Sequence, residues 1–300
     1  MFSSSANKRV FREYLGAQWS GVRFTDVPVN PHVDEFHYIL AFTIDYTAGA
    51  ADVPPVPTNG NFRVFWDTRY FTPDAVAEAK RKNSNVRVML SVGGATVKDV
   101  DVVFTPATED TWVRNAVNTL GAIIDEYHLD GVDIDYEQFH PSVEPDLFTR
   151  CIGRLLTELK AGKPAGSFIT SIAPYPNKNA QRLYRALWNS EYQMAIDYVN
   201  FQFYAYGHNI DVPQYIDRYN EQANAPNFPG GRVLAAINTN NPAVVNIVNP
   251  DIALEACNQL NQQLGGKLPG IFIWSADGSL NQNQGFFYET QAQLILTGGN

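Results

Sequence analysis

Three carboxylates alternate with apolar residues in one short segment of the chain. Asp133, Asp135 and Glu137 occupy every second position of the segment 131–137. Side chains of a β-strand point alternately to opposite faces, so a strand here places the three acids on one face and the apolar residues on the other. The spacing therefore predicts a strand whose polar face carries a row of carboxyl groups.

Burial of this row requires that the acids share protons. A carboxylate taken out of water costs on the order of several kcal/mol unless it is paired, and no cation lies in this segment. Neighbouring negative charges raise pKa values, so we expect Asp133 and Asp135 to share one proton, and Asp135 to exchange one with Glu137. A glutamic acid that stays protonated near neutral pH serves as a general acid. The alternatives are a solvated acidic edge, which the apolar alternation disfavours, and a metal site, for which the run has no histidine.

Strand-like and helix-like segments alternate through the rest of the chain and must position these acids. The strand-like runs are rich in β-branched and aromatic residues, as is typical of buried parallel strands; they are 10–17, 36–44, 86–93, 131–137, 168–173, 198–205, 232–238 and 270–275. Thr72 with Pro73, and Thr108, begin two helices, because threonine caps a helix N-terminus and proline suits its first turn. Further helices are predicted over 144–160, 179–188, 212–222, 251–264 and 285–296, whereas 21–33 is too short and proline-rich for one.

Eight strands alternating with helices predict one α/β domain over residues 1–300, a (β/α)8 TIM barrel. Such barrels place their active sites at the carboxyl ends of the strands, where Glu137 is the acid nearest the mouth. An open doubly wound sheet is the second arrangement, but no G-x-G-x-x-G follows the first strand to support nucleotide binding. The long irregular stretch 45–71 either restricts the mouth or packs on its own aromatic residues.

The carboxylate run also resembles a known family. Asp130-x-x-Asp133-x-Asp135-x-Glu137 matches the D-x-x-D-x-D-x-E signature of glycoside hydrolase family 18, the chitinases, and the SVGG of 91–94 resembles that family's S-x-G-G. The segments 173–174, 197–204 and 271–275 resemble the fifth, sixth and eighth strands of plant class III chitinases. The segments 11–16 and 35–42 look closest to the plant bulb chitinases of the narbonin-like subgroup. They also resemble narbonin, a seed protein of the same fold considered non-enzymatic.

This resemblance implies a role for each of several residues. Glu137 is the acid and then the base, Asp135 orients the substrate's acetamide group, and Asp133 tunes Asp135. Tyr204 is the fourth catalytic residue and donates its hydroxyl toward the acetamide. The substrate-binding positions implied are Gln202 beside the acetamide, Trp274 as the floor under the sugar, and Tyr14, Phe42, Gly93 and Ala173 along the groove, with Tyr206 expected on the same face as Tyr204.

The function implied is an endochitinase of plant defence. It hydrolyses β-1,4-linked N-acetylglucosamine polymers with retention, through substrate-assisted catalysis and an oxazolinium intermediate, so its partner is chitin or a chitooligosaccharide. Two alternatives stay open: a non-catalytic chitinase-like lectin or storage protein, and an endo-β-N-acetylglucosaminidase acting on N-glycans. The presence of Asp133, Asp135 and Glu137 together favours an enzyme, because narbonin has histidine where this chain has Asp135.

Charge and hydropathy restrict the other partners. The 300 residues include 22 Lys and Arg against 31 Asp and Glu, a net charge of −9, which disfavours nucleic acid as a partner. A membrane span needs about 20 apolar residues in a row, and no such run occurs. We expect no metal and no cofactor, a monomer, and an extracellular or vacuolar location, although residues 1–7 lack the apolar core of a signal peptide.

The two cysteines are predicted to be free thiols. Cys151 and Cys257 fall on helices that are not neighbours around a barrel, so their separation exceeds the reach of a disulfide. The plant class III enzymes carry six cysteines, and this chain departs from them in that respect.

Overall fold

Eight parallel strands follow one another around a closed sheet in chain order. The computed structural model describes residues 8–50 and 52–299; the polar segment 1–7 lies outside the described residues. The strands of the closed sheet are β1 (Val10–Leu15), β2 (Glu35–Ile44), β3 (Val86–Gly94), β4 (Gly131–Tyr136), β5 (Ile169–Ile172), β6 (Tyr198–Val199), β7 (Ala235–Asn238) and β8 (Gly270–Trp274).

The sheet closes between β6 and β7. Each strand pairs in parallel with its neighbour from β6 back to β1, and β1 also pairs with β8, which in turn pairs with β7. A parallel bridge between Val199 and Val233 joins the two ends of this path, with Val199 N–H donating to Arg232 O at 3.0 Å and Leu234 N–H donating to Val199 O at 2.9 Å. The barrel prediction is therefore confirmed, and the open doubly wound sheet is excluded.

Helices cover the outside of the barrel. They are α1 (Pro73–Lys82), α2 (Glu109–Tyr127), α3 (Pro145–Lys160), α4 (Lys178–Trp188), α5 (Val212–Ala223), α6 (Pro250–Gln263), α7 (Ala276–Asn281) and α8 (Phe287–Thr297). Thr72 and Thr108 cap α1 and α2 as the sequence predicts, each accepting a backbone N–H three residues on. In the described part of the chain no helix lies between β1 and β2, and none of the helices is long and apolar enough to cross a bilayer.

The sixth strand is shorter than the sequence predicts. The expectation of a strand over 198–205 is wrong, because β6 ends at Val199 and a 3-10 turn occupies Phe203–Tyr206. The chain turns there because the Phe203 ring packs against Tyr215 and Tyr219 of α5, with ring centroids 5.4 and 5.5 Å apart. This ring is buried outside the barrel, so the residues after Val199 do not follow the strand alternation that the sequence suggested.

The irregular stretch 45–71 packs mainly on the barrel wall. Trp66 and Phe71 are buried, and Trp66 meets Tyr127 of α2 edge-on at 5.2 Å. Residues Arg63–Val64 form a short strand antiparallel to β2. The sequence left two expectations for this stretch, restriction of the mouth and packing on its own aromatic residues. The contacts observed are of the second kind and include neighbouring aromatic residues.

The two cysteines lie buried on different helices, Cys151 on α3 and Cys257 on α6. Both are free thiols, as predicted. Burial raises the pKa of Cys151 to about 12 and also raises the pKa of Cys257. Neither thiol is therefore a reactive thiolate near neutral pH.

Candidate active site

The carboxylates of β4 form a line from the centre of the barrel toward its mouth. Asp133 is fully buried and Asp135 is 4 % exposed, whereas Glu137, one residue beyond the end of β4, is only partly buried. The period-2 alternation of the strand turns all three toward the barrel axis. Glu137 is therefore the acid of this line with the best access to a ligand.

Asp133 is held by four hydrogen-bond donors from four different strand regions. Tyr14 Oη of β1 and Ser91 Oγ of β3 each lie 2.8 Å from Oδ2. Ser171 Oγ of β5 lies 2.5 Å from Oδ1, and Asn200 Nδ2, just after β6, lies 3.1 Å from the same oxygen. This set satisfies the acceptor capacity of an ionised carboxylate, so Asp133 joins the strands at the centre of the barrel.

A buried cation lies near the Asp133 carboxylate and interacts with its charge. Arg12 of β1 is fully buried; its Nη1 donates to Asn200 Oδ1 at 2.8 Å and its Nε donates to His37 Nδ1 at 3.1 Å. Its guanidinium also lies 4.7 Å from the centre of the Tyr198 ring. Burial lowers the pKa of Arg12, and the charge of Asp133 acts against this effect. The sequence reasoning found no cation in the carboxylate segment because this one comes from another strand.

One amide group joins the two outer carboxyl groups. Gln202 Nε2 donates to Asp135 Oδ1 at 2.9 Å and lies 3.4 Å from Glu137 Oε1. The same nitrogen donates to the backbone oxygen of Ala173 at 3.1 Å, which fixes its direction. Gln202 therefore positions Asp135 and Glu137 relative to each other.

The protonated forms of both outer acids are favoured. Burial, followed by the charges of Glu137 and Asp133, raises the pKa of Asp135 well above its ordinary value. Burial likewise raises the pKa of Glu137, while the Gln202 hydrogen bond acts in the opposite direction. These directions agree with proton exchange between Asp135 and Glu137. Among the described residues no hydrogen bond joins Asp133 to Asp135. The expected proton shared directly between these two acids is therefore not supported by a contact.

Aromatic rings form a floor beside the acids. Trp274, at the end of β8, stacks on Phe42 of β2 with ring centroids 5.7 Å apart and planes 26° apart. Both rings are partly buried. Tyr14 packs beneath Trp274 at 5.5 Å and is only 2 % exposed, so it lies below the floor and reaches Asp133 instead of lining the groove surface.

Two glycines of β3 make room for this arrangement. Gly93 has a φ of +109°, and a Cβ there would lie 2.9 Å from the backbone oxygen of Asp135. A Cβ on Gly94 would lie 2.8 Å from the Phe42 ring. The S-x-G-G segment thus supplies a serine to Asp133 and lets the acids and the floor approach the strand closely.

Tyr204 and Tyr206 face different surroundings because the turn Phe203–Tyr206 is not a strand. Tyr204 is 7 % exposed, and burial together with the charges of Asp135 and Glu137 raises its pKa well above the ordinary value. Its hydroxyl therefore keeps its proton and remains a donor. Tyr206 instead stacks on Phe201 and accepts a hydrogen bond from Gln222 of α5; the expectation that it shares a face with Tyr204 is wrong.

Sequence reasoning missed a second buried carboxylate behind β4. Asp45 follows β2 and accepts hydrogen bonds from Tyr136 Oη at 2.7 Å, Trp112 Nε1 at 3.1 Å and Gly60 N at 3.1 Å. Burial raises its pKa, and these donors oppose the shift. Asp45 thereby anchors the start of the stretch 45–71 to the outer face of β4. In the sequence, the position of Asp45 directly after an apolar strand could have identified it as a candidate buried carboxylate.

The donor set of the groove is one of carboxyl, amide and phenol groups. Within residues 8–50 and 52–299, no cluster of three or more histidine, cysteine, aspartate or glutamate side chains is arranged to hold a metal ion. Groups of these types transfer protons and form hydrogen bonds.

The chain is similar to several plant proteins over most of its length. It is 49% identical to Chitinase 1 of Tulipa saxatilis subsp. bakeri over 97% of this chain and 88% of that protein. It is 30% identical to the RuBisCO-associated protein of Glycine max over 66% of each chain.

Solved structures of plant chitinases are also similar to this chain over most of its length. The catalytic domain of a family GH18 chitinase from the fern Peteris ryukyuensis is 46% identical, with a TM-score of 0.85 over 96% of this chain and 100% of that one. A family 18 chitinase from Crocus vernus is 41% identical, with a TM-score of 0.86 over 96% of this chain and 99% of that one. A Chromobacterium violaceum chitinase at 19% identity and a TM-score of 0.70 shares the fold.

The family model agrees with the relatives and with the site. Residues 19–241 match the model of the glycosyl hydrolases family 18, and this range contains the three acids of the β4 line, Gln202 and Tyr204. The chain therefore belongs to glycosyl hydrolase family 18.

Proposed function

We propose that this protein is an endo-acting chitinase that hydrolyses β-1,4-linked N-acetylglucosamine polymers with retention of the anomeric configuration. The observation that carries the proposal is the Asp135–Gln202–Glu137 arrangement, in which one amide holds a buried and a partly buried carboxyl group, both of raised pKa, side by side in the groove. The named activities of the tulip, fern and crocus relatives support the choice of substrate.

In the first step Glu137 is the general acid. Its proton passes to the glycosidic oxygen as the bond from that oxygen to the anomeric carbon breaks. The carbonyl oxygen of the same sugar's acetamide group forms the new bond to the anomeric carbon, which gives an oxazolinium ion and releases the leaving chain as an alcohol. The substrate thus supplies the nucleophile that a two-carboxylate retaining enzyme would take from the protein.

Asp135 and Tyr204 act on the acetamide group during this step. When the proton exchanged between the two acids lies on Glu137, Asp135 is a carboxylate; it accepts the acetamide N–H and stabilises the positive charge that spreads over the oxazolinium ring. Tyr204 donates its hydroxyl toward the acetamide. Its pKa is raised well above the ordinary value, which supports this role because the hydroxyl keeps its proton at all working pH values. Asp133, held by its four donors, acts on Asp135 through its charge, which raises the pKa of Asp135, and does not contact substrate.

In the second step Glu137 is the general base. As a carboxylate it takes a proton from a water molecule, whose oxygen attacks the anomeric carbon on the face left by the leaving group. The oxazolinium ring reopens to the acetamide, and the product carries the β configuration. A sugar without a 2-acetamido group has no internal nucleophile, so the mechanism restricts the substrate to N-acetylated polymers.

The Trp274–Phe42 floor supports the binding of a sugar ring at this point. A partly exposed indole at the end of β8 offers an apolar face to the carbon side of a pyranose, while the acids offer hydrogen bonds to its edge. Gly93 and Ala173 contribute backbone and space, since glycine has no side chain and alanine has only a methyl group.

The proposal is tested with the chitin hexamer at mildly acidic pH, with products resolved by size and by anomer. We expect early β-anomeric products of mixed length. Glu137→Gln is expected to abolish turnover and keep hexamer binding, while Glu255→Gln, an exposed residue of α6, serves as the matched control. Near-normal turnover by Glu137→Gln, or α-anomeric first products, contradicts the mechanism.

The alternative functions are outcomes of the same experiment. Hexamer binding without cleavage by the unmodified protein indicates a lectin, and neither binding nor cleavage indicates a storage protein. Cleavage of an N-glycan core in preference to the hexamer indicates an endo-β-N-acetylglucosaminidase. A defence role, a monomeric state and an extracellular or vacuolar location remain predictions, to be checked by fungal growth assays, sedimentation and fractionation of the source tissue.

A further inference from the structure

An exposed tryptophan stands on the loop that follows β1. Trp19 is 51 % exposed and has a φ of +52°, a left-handed backbone conformation that is uncommon for a bulky side chain. Residues held in this region are often retained for function, because the conformation itself costs free energy. Both observations require an explanation beyond core packing.

Flat side chains from a second loop extend this surface. Arg69 lies with its guanidinium carbon 5.4 Å from the centre of the Trp19 ring and 5.5 Å from that of Tyr70. Arg23 lies 4.7 Å from the centre of the same Tyr70 ring. Trp19, Arg69, Tyr70 and Arg23 therefore form a row of planar groups, which we call the loop platform.

The platform lies at the same end of the barrel as the carboxylates. Trp19 follows the carboxyl end of β1, and Arg69 lies three residues before the cap of α1, which begins at that end of the barrel. The neighbouring Gln18 donates to Asn240 Oδ1 at 3.1 Å, beyond the end of β7, and accepts from Asn281 of α7 at 3.3 Å. The platform is thus part of the rim of the mouth.

The charge of the platform favours a neutral ligand. Arg69 forms two hydrogen bonds with Asp67, at 2.8 and 2.7 Å, so its charge is paired. Arg23 forms no ion pair within the described residues and contacts the Tyr70 ring, so the platform carries one unpaired positive charge. The adjacent polar groups of the rim, Gln18, Asn240 and Asn281, are uncharged amides. A polysaccharide such as chitin offers apolar ring faces to aromatic groups and hydroxyl and amide groups to this rim, whereas an anionic polymer would need several unpaired cations and the platform supplies one.

We propose that the loop platform is an accessory binding surface for polymeric chitin, on which the Trp19 ring stacks against a sugar outside the catalytic groove. This inference rests on the proposed function, since it names the same substrate at a second place on the protein. The left-handed backbone at position 19 turns the indole outward to meet the polymer.

The test compares insoluble chitin with the soluble hexamer. Trp19→Gly removes the ring at a position whose backbone conformation glycine adopts freely, so loss of function there is not loss of folding. We expect the ratio of hydrolysis rates, insoluble chitin over hexamer, to fall about tenfold, which corresponds to about 1.4 kcal/mol. Trp19→Tyr, which keeps an aromatic face, is expected to retain most of the ratio.

Phe287→Ala is the matched control. Phe287 is an aromatic residue of α8 with 49 % exposure, and its loss is expected to leave the ratio unchanged. An unchanged ratio in Trp19→Gly, an equal fall in Phe287→Ala, or an equal loss on both substrates in Trp19→Gly overturns the proposal.

Binding without turnover separates this proposal from the proposed function. Depletion of each protein from solution by insoluble chitin is measured in a Glu137→Gln background, where cleavage does not interfere. If the unmodified protein fails to cleave the hexamer, the proposed function fails, and the binding isotherms of Glu137→Gln with and without Trp19→Gly still decide the role of the platform. Equal isotherms overturn it, and about tenfold weaker binding after loss of Trp19 supports it.

Discussion

A second group of buried acids lies in the barrel wall, away from the groove. Glu13 of β1, Asp277 of α7 and Glu289 of α8 are all fully buried. Glu13 points outward from the barrel because its neighbours in the strand alternation, Arg12 and Tyr14, point inward. The three carboxyl groups therefore share the space between β1 and the two last helices.

Hydrogen bonding within this group is uneven. Asp277 accepts from Gly16 N at 2.7 Å and from Ser20 Oγ at 2.7 Å. Glu289 Oε1 accepts from Ser279 Oγ, but Glu289 Oε2 and both oxygens of Glu13 have no hydrogen bond of good geometry within the described residues. Buried carboxyl groups with so few donors are more stable in the protonated form.

The pH dependence follows from the direction of these shifts. Burial raises the pKa of Glu289 from 4.5 to about 7, and burial with the charges of Glu289 and Asp277 raises the pKa of Glu13 well above its ordinary value. Between pH 4.5 and about 7, folded Glu289 holds a proton that the unfolded chain has released. The free energy of unfolding therefore decreases as the pH rises through this window, by about 3 kcal/mol for Glu289 alone.

Glu289→Gln removes this titration and keeps the shape of the neutral acid. We expect the variant to match the unmodified protein in unfolding free energy near pH 4, and to exceed it by about 3 kcal/mol at pH 8. The measurement is reversible urea unfolding at a series of pH values, with Glu255→Gln as the exposed control. A difference between Glu289→Gln and the unmodified protein that is constant from pH 4 to pH 8 refutes the reasoning, because it would mean that Glu289 takes up no proton on folding.

Three further predictions concern the groove itself. Asp135→Asn is expected to lower kcat on the hexamer by about 100-fold or more, since the developing positive charge loses its anion; a loss confined to KM contradicts this. Gln202→Ala removes a hydrogen bond that lowers the pKa of both Asp135 and Glu137, so the alkaline limb of the pH–kcat profile is expected to move to higher pH. Gly93→Ala is expected to lower the free energy of unfolding by about 1–3 kcal/mol, measured in urea against Gly121→Ala, whose added Cβ meets no atom within 4 Å.

Local patterns predicted the elements that carry the acids. The alternation of 131–137 is a property of neighbouring residues, so the strand, its inward face and the order from Asp133 to Glu137 followed from the sequence. The caps Thr72 and Thr108 are equally local, since each accepts a backbone N–H three residues away. Both kinds of prediction need no knowledge of which strands become neighbours.

Contacts across the barrel were beyond such reasoning. The bonds from Tyr14 and Asn200 to Asp133 connect residues 119 and 67 positions apart, and only the closed topology brings them together. The sequence therefore assigned Tyr14 to the groove surface and did not connect Arg12 with the acids. Likewise, the sequence placed Tyr206 on the same face as Tyr204 because it predicted a longer sixth strand. The packing of Phe203 on α5 ends that strand early.

The uneven supply of donors along β4 determines which acid can give a proton. All three carboxyl groups lie on one strand face, yet Asp133 has four donors and a buried guanidinium nearby, whereas Asp135 and Glu137 depend on the single amide of Gln202. Negative charge is thus best accommodated at the centre of the barrel, and protonation is favoured toward the mouth. Glu137 combines a raised pKa with access to ligand, and these two properties together, more than its place in a signature, support our proposal that it is the proton donor.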